Sequence, residues 1–259
     1  PETEALKPKE ISPKVYRVEL ENATVLRARV IVPLSGSAAA QENAALAAVQ
    51  FQGARIEPGE SLSFNQTVGM RTEESGYTAA EEPAYGQNIV GVGGGVCQVS
   101  TALYRLALLG GLEIAERSAA VYPVDYCEIG QEAAVSDQGL DLVLTNNTDA
   151  PLFLVVRVYA ENDGQTMEWQ LIGKENESRF SLVSEVETID APEEPVYVRD
   201  SEGRYATYAD ERIPVSEARP GYRATVSLVD ENGETVRVVS EDTYDAMAQI
   251  VYVGVQQRN

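Results

Sequence analysis

The chain has 259 residues, a formal net charge of −21 and no histidine, and these features exclude several classes of protein. Nucleic acids and anionic membrane surfaces are bound by clusters of Lys and Arg, so we expect neither partner. Without histidine the chain can form no Cys–His or Ser–His–Asp catalytic arrangement and no zinc site with histidine ligands. Two cysteines are too few for a four-thiolate zinc site. We therefore predict no metal and no cofactor.

The first 35 residues are predicted to be an N-terminal strand segment or linker. The opening stretch, PETEALKPKEISPK, has little apolar content, and the sequence contains no visible signal peptide and no apolar run long enough to span a membrane. A signal or anchor upstream of the sequence is left open. Residues 15–34 alternate and are rich in valine, which predicts one or two strands.

An alanine-rich stretch at residues 37–53 predicts a helix, with Ser37 as its N-cap and Gly53 just beyond its end. A turn at Pro58-Gly59 and a short strand are expected next. Residues 65–96 are rich in loop-forming residues, and such a long connection without regular structure is typical of a functional loop.

The sequence GVGGGVCQVSTALYRLALLGG contains the candidate functional residue, Cys97. Apolar residues at helical spacing between Val99 and Leu109 predict a packed helix that begins at Cys97 and ends before Gly110 and Gly111. The free N–H groups and the positive end of the dipole at a helix start would stabilise a thiolate there. A small buried cysteine beside a tight glycine turn explains the same residues equally well.

Strands and turns are predicted from Glu113 onward, and the helix is expected to pack beside strands between residues 121 and 159. Residues 140–173 indicate three strands, with a hairpin at Asp163-Gly164. Cys127 lies in a segment predicted to be a strand, and a disulfide between Cys97 and Cys127 is left open. An acidic, proline-containing stretch marks a boundary, and a small all-β module with a turn at Asn232-Gly233 follows it.

Four blocks carry a resemblance to a known family: PGESLSFNQTVGMRTEESGYTAA, GVGGGVCQVSTALYRLALLGGLEIAER, PVDY and LTNNTDAPLFLV. In this order they resemble the VanW-like family of bacterial cell-envelope proteins, which is named after a glycopeptide-resistance accessory gene. The resemblance implies a VanW-like domain over residues 36–175 and an extracellular or cell-envelope protein, anchored or secreted through a segment outside this sequence. Residues 176–259 resemble the small all-β G-five module.

The helix that starts at Cys97 also resembles the core of transglutaminase-like proteins, in which a Cys opens a helix and His and Asp follow on consecutive strands. This resemblance implies an α+β fold in which a helix packs on an antiparallel sheet. Ser118 and Ala120 stand where the histidine is expected, and Glu132 stands where the aspartate is expected. Glu132 or Asp125 could replace the missing base, although a nearby carboxylate disfavours a thiolate.

Two hypotheses about function follow, and the missing histidine favours the first; a purely structural spacer is left open as a third. In the first, the protein is a non-catalytic cell-envelope module that binds peptidoglycan or another wall component through a glycine-lined cleft. In the second, it is a cysteine-dependent acyl transferase or peptidase that acts on wall peptides, with Cys97 as the nucleophile and Glu132 as its partner. The expected cleft residues are Arg71, Gly93, Gly94, Gly95, Gln98 and Ser100. Arg71, Glu73 and Glu74 lie together in MRTEESGY, and for this stretch a solvated loop is favoured over a place in the cleft.

Overall fold

The computed structural model describes residues 25–84, 87–161, 164–174 and 179–257. Its helices are α1 (Ala38–Ala48), α2 (Phe64–Val68) and α3 (Cys97–Gly110), with a 3-10 turn at Val49–Phe51. Its strands are β1 (Val25–Pro33), β2 (Arg55–Ile56), β3 (Ser61–Ser63), β4 (Ala79–Ala84), β5 (Gln87–Val92), β6 (Glu113–Glu116), β7 (Val143–Thr145), β8 (Leu152–Glu161), β9 (Gly164–Gly173), β10 (Ser181–Ile189), β11 (Val196–Asp200), β12 (Arg212–Ser216), β13 (Gly221–Val229), β14 (Thr235–Tyr244) and β15 (Ile250–Gly254). The chain is an α+β protein dominated by strands.

A four-stranded antiparallel sheet with the order β1-β9-β8-β2 carries the main core. Helix α3 lies against β1 and β9, and α1 lies against β8 and β9. Leu103, Leu106 and Trp169 are among the fully buried side chains between these layers, because the apolar face of α3 is turned toward the sheet. A helix packed on an antiparallel sheet was expected, but the strands that support α3 differ from those expected between residues 121 and 159.

Local sequence signals set the start of α1 and the end of α3. The Ser37 side chain accepts a hydrogen bond from Ala40 N at 3.3 Å and caps α1, as predicted, because serine satisfies an N–H group that the first turn leaves free. Gly111 ends α3 in the left-handed conformation, with φ 76°. The three strands predicted in residues 140–173 are β7, β8 and β9. Strands β8 and β9 pair antiparallel, as the predicted hairpin requires. Asp163 of the predicted turn lies outside the described residues.

Two sequence predictions in the middle of the chain are wrong. The stretch 65–96 is not an unstructured loop, since it contains most of α2 and the two-stranded β4–β5 hairpin. The segment that contains Cys127 is not a strand, and between β6 and β7 only an isolated bridge joins Ser118 to Ala134. Pro123 and Gly130 interrupt this segment, and side chains rather than a neighbouring strand bind much of its backbone.

The C-terminal β-region, β10 to β15, forms two three-stranded sheets with the orders β10-β13-β14 and β11-β15-β12. The turn predicted at Asn232-Gly233 joins β13 to β14, and Gly233 has φ 79°. Leu228 of this region belongs to the main core, and Phe180, Leu182 and Val239 pack against it. The region therefore shares apolar contacts with the rest of the protein, and its folding as an independent module stays a prediction.

Within the ranges that the structure covers, no helix combines the length and apolar character needed to cross a membrane.

Candidate functional site

A cavity of about 390 Å³ opens beside the start of α3. This volume lies within the usual range for sites that bind small molecules or short segments of larger ones. The end of β1, the start of α1, the first turn of α3 and the irregular stretch after β6 all contribute to its walls. The lining residues are Ser35, Gly36, Ser37, Ala40, Glu81, Gly95, Cys97, Gln98, Ala120, Val121, Tyr122, Val124, Asp125, Tyr126, Ala134 and Leu140.

Cys97 lies at the cavity as the first residue of α3, which confirms the predicted helix start. Its side chain is partly buried, and Sγ donates a hydrogen bond to the carbonyl oxygen of Val135 at 3.5 Å. The helix dipole favours the thiolate, whereas this hydrogen bond is made only by the protonated thiol. With no histidine in the chain, the proton on Sγ has no imidazole acceptor.

The three glycines before Cys97 allow protein segments to approach closely. Gly93 and Gly95 have φ values of 86° and 101°, in the region that other residues rarely adopt. A Cβ atom on Gly95 would lie 2.3 Å from the Ala40 carbonyl oxygen, and one on Gly94 would lie 2.7 Å from the Ala80 carbonyl oxygen. Of the three, only Gly95 lines the cavity, so the run of glycines is explained by close packing.

Gln98 lines the cavity and binds Ser35, which lies in the cavity wall between β1 and α1. Its side chain is buried, accepts a hydrogen bond from Ser35 N at 2.8 Å and donates one to the Ser35 carbonyl oxygen at 3.2 Å. This pair of bonds fixes the chain between β1 and α1. Ser100, one turn along α3, is fully buried, and its hydroxyl donates to the Ala133 carbonyl oxygen at 2.6 Å. Ser100 therefore supports the stretch after β6 from within the core.

Arg71 lies outside the cavity lining. Its guanidinium is buried, forms an ion pair with Asp137 at 2.7 Å and donates to the Asn65 side chain at 2.8 Å. A Cβ atom on Gly93 would lie 2.9 Å from Arg71 Cβ. The Arg71 side chain is therefore buried rather than solvated, although Glu73 and Glu74 of the same loop are exposed. The Arg71 side chain packs against the turn that leads to α3.

Glu132 is buried on the far side of the stretch after β6 and does not line the cavity. Its carboxylate accepts hydrogen bonds from Ala120 N at 3.3 Å, from Gly130 N at 3.1 Å and from the Tyr244 hydroxyl. Arg117 lies 3.7 Å away. Glu132 is thus engaged in holding the backbone, whereas Asp125 has an exposed position and lines the cavity.

The aromatic wall of the cavity was not anticipated from the sequence. Tyr126 is the last residue of the PVDY block, and Tyr122 lies directly before that block. The resemblance of this block to the VanW-like family was the sequence signal that pointed to this stretch. Burial raises the pKa of Tyr126 well above its usual value, so its hydroxyl stays protonated. Glu81 and Asp125 are the charged residues among the described lining, which gives the cavity a negative charge.

Cys127 follows this wall and differs from Cys97. Neither cysteine is part of a disulfide, so the Cys97–Cys127 bond that was left open is not formed. Burial, and secondly the charge of Glu132, raise the pKa of Cys127 to about 12. Cys127 is therefore a protonated thiol at neutral pH. Among the residues that the structure describes, no group of three potential ligands comes together to hold a metal ion.

Comparison with known proteins defines the class to which this arrangement belongs. Residues 39–170 match the family described as VanW like protein. This match covers half of the sequence, and the chain belongs to that family.

Two relatives show how far the similarity extends. The uncharacterized protein YoaR of Bacillus subtilis (strain 168) is 35% identical over 125 residues, which are 48% of this chain and 41% of YoaR. The vancomycin B-type resistance protein VanW of Enterococcus faecalis (strain ATCC 700802 / V583) is 28% identical over 180 residues, which are 67% of this chain and 61% of VanW. The chain thus spans less than two thirds of the length of either relative.

A solved structure described as "Crystal structure of HP0197-G5" matches 30% of this chain and 100% of its own, at 14% identity and a TM-score of 0.13. A score this low supports no argument about the fold of the C-terminal β-region.

Proposed function

We propose that this protein is a non-catalytic, extracellular or cell-envelope module that binds a peptide segment of the bacterial wall in the cavity beside α3. The setting of Cys97 carries this proposal, because Sγ contacts the Val135 carbonyl oxygen at 3.5 Å and no histidine of the chain can accept its proton. A cysteine nucleophile needs an adjacent base or a stabilised thiolate, and the chain contains no histidine.

The size and chemistry of the cavity favour a short peptide segment over a glycan strand. A volume of about 390 Å³ accommodates a short segment of a wall peptide. Glu81 and Asp125 favour a ligand with a positively charged amine, and the rings of Tyr122 and Tyr126 offer apolar and cation–π contacts. The envelope location is inferred from the family resemblance and from the name of the vancomycin B-type resistance protein.

A cysteine-dependent acyl transferase or peptidase is the second candidate. Its support is the position of Cys97, which opens a helix packed on an antiparallel sheet and lines an open cavity. The resemblance to transglutaminase-like proteins, in which a catalytic Cys opens a helix, also supports this second candidate. Glu132, the proposed partner of the nucleophile, does not line the cavity and accepts hydrogen bonds from two backbone N–H groups and from Tyr244, which counts against this second candidate.

Calorimetric titration of the full chain with soluble peptidoglycan fragments tests the first proposal. We expect saturable binding that Cys97→Ala preserves and that Ala120→Phe abolishes, because a phenyl ring at residue 120 would fill the cavity. Ala160→Phe is the matched control, since Ala160 is exposed on β8 and does not line the cavity. Absence of binding to the unaltered chain, or equal binding by Ala120→Phe, would refute the proposal.

Mass spectrometry of the same mixtures separates the two candidates. A binding module leaves the fragments and the protein unchanged in mass. An acyl adduct on Cys97, or cleavage of fragments that Cys97→Ala abolishes, would establish the enzyme instead.

A further inference from the structure

The cavity wall after β6 has almost no secondary structure of its own. We call residues 118–134 the wall segment; seven of them line the cavity, Ala120, Val121, Tyr122, Val124, Asp125, Tyr126 and Ala134. Its bridge between Ser118 and Ala134 joins the two ends of the segment. The shape of the wall therefore depends on side chains that bind it from outside.

Arg117 and Asp242 form the first of these contacts. The Arg117 guanidinium donates to the carbonyl oxygens of Glu132, at 2.8 and 2.6 Å, and of Gly130, at 3.1 Å. Its remaining nitrogen donates to both carboxylate oxygens of Asp242 on β14, at 2.6 and 2.7 Å. Both side chains are largely buried, and such paired bonds between buried charges are directional and strong. Asp242 thus orients the group that binds the end of the wall segment.

The second contact joins Tyr244 to Glu132. The Tyr244 hydroxyl, at the end of β14, donates to the buried Glu132 carboxylate, which accepts Ala120 N with the same Oε1 atom. Ala120 lines the cavity, so one carboxylate connects the C-terminal β-region to the wall surface. Burial, and secondly the bond to Glu132, raise the pKa of Tyr244, so the hydroxyl keeps the proton that it donates.

Two further contacts lie beside this pair. The Gln131 side chain donates to the Ser184 hydroxyl on β10 at 3.0 Å. Gly130 fits so closely against β13 that a Cβ atom would lie 2.7 Å from Val226. Residues from β10, β13 and β14 therefore all contact three consecutive residues of the wall segment, 130–132.

We infer that the C-terminal β-region is a clamp that holds one wall of the cavity in place, and that Tyr244 is the positioning residue through which it acts on Glu132 and Ala120. The inference rests on the proposal that this cavity is the functional site, but not on the identity of the ligand. Its consequence is that the cavity is complete only when the C-terminal β-region is docked.

Cys127 provides a probe inside the wall segment. In a Cys97→Ser background, the alkylation rate of Cys127 by iodoacetamide at pH 8.5 reports whether the segment is held. We expect Tyr244→Phe to raise this rate at least tenfold, because a released segment exposes Cys127 and returns its pKa toward the ~8.5 of a free thiol. The matched control Tyr252→Phe removes a hydroxyl from the β11-β15-β12 sheet of the same region and should leave the rate unchanged.

Urea separates release of the wall from unfolding of the protein. Local opening exposes little surface, so the increased rate should barely change with urea below the main transition, whereas global unfolding makes it rise steeply. An unchanged Cys127 rate in Tyr244→Phe, or an increase with the urea dependence of global unfolding, overturns the inference.

The link to the cavity is tested in a Cys127→Ser background. Tyr244→Phe should then raise the alkylation rate of the partly buried Cys97 severalfold, since Cys97 and the wall segment line the same cavity. Unchanged Cys97 kinetics would show that the clamp does not reach the cavity. These measurements use no ligand, so they stand whether or not peptidoglycan fragments bind.

Discussion

Cys97 and Cys127 place one thiol at the cavity and the other behind its wall, and their reactivities should differ accordingly. Burial raises the pKa of Cys127 to about 12, and only the thiolate reacts with iodoacetamide. In Cys97→Ala we therefore expect Cys127 to react roughly a thousandfold more slowly at pH 7 than a free thiol of pKa ~8.5. Because deprotonation is incomplete until the pH exceeds the pKa, the rate should keep increasing up to about pH 12. A plateau near pH 9 would contradict the assigned pKa.

Gly95 determines the backbone conformation directly before α3 and Cys97. It combines a φ of 101° with a position where a Cβ atom would lie 2.3 Å from the Ala40 carbonyl oxygen. We expect Gly95→Ala to lower the free energy of unfolding by about 3 kcal/mol, since both backbone strain and a steric clash oppose the methyl group. Gly59→Ala is the control, with φ 78° and open space around the added atom, and should cost only about 1 kcal/mol. Urea denaturation measures both, and equal losses would show that the clash is relieved by a small shift.

At the scale of secondary-structure elements, Asn43 ties the β4–β5 hairpin to α1. Its buried side chain donates to the carbonyl oxygens of Thr78 and Gly94, at 2.9 and 3.0 Å, and accepts from Thr78 N at 2.9 Å. Asn43→Ala should cost about 2 kcal/mol, because it leaves buried backbone groups without partners. Hydrogen exchange should show loss of protection in the hairpin but not in β8 and β9. Glu42→Ala, at an exposed position on the same helix, is the control, and protection lost equally in all strands would contradict a local tether.

The sequence predicts those elements whose signals are local. Ser37 caps α1 and Gly111 ends α3, and each signal lies within one turn of the boundary it sets. The wall segment could not be predicted, because its conformation depends on partners far along the chain, such as Tyr244 for Glu132. The same distinction applies to the site. Cys97, Gly95 and Gln98 line the cavity and lie within four residues of one another around the start of α3, so local sequence places them together. The burial of Arg71, Ser100 and Glu132 depends instead on packing between distant segments.

At the scale of the whole molecule, the main core and the C-terminal β-region meet through both apolar and ionic contacts. Leu228 is buried in the main core, and Phe180 and Val239 pack against it. The Arg117–Asp242 pair lies beside them, largely buried. Loss of one partner from such a pair leaves a charge with no counterion in a low-dielectric environment. The two parts of the protein therefore stabilise each other.

The C-terminal residues 178–259, expressed alone, should fold with lower stability than they have in the whole protein. Val251 is buried within the β11-β15-β12 sheet, whereas Ala224, Val226 and Tyr244 are buried in part against Gly130 and Glu132. Sheets of three strands are independently stable when one face is covered, so the fragment keeps only part of its apolar burial. Without the rest of the chain, Leu228 becomes exposed to water, and the free energy of unfolding falls. For a domain of this size, each kcal/mol of that loss should lower the melting temperature by roughly 4–8 °C. Circular dichroism should show a β spectrum and a cooperative melt. The same fragment with Leu228→Thr should melt no lower than the unaltered fragment, because Leu228 contributes stability only when the main core covers it. A fragment with no β signal and no cooperative transition would show that the region folds only against the main core.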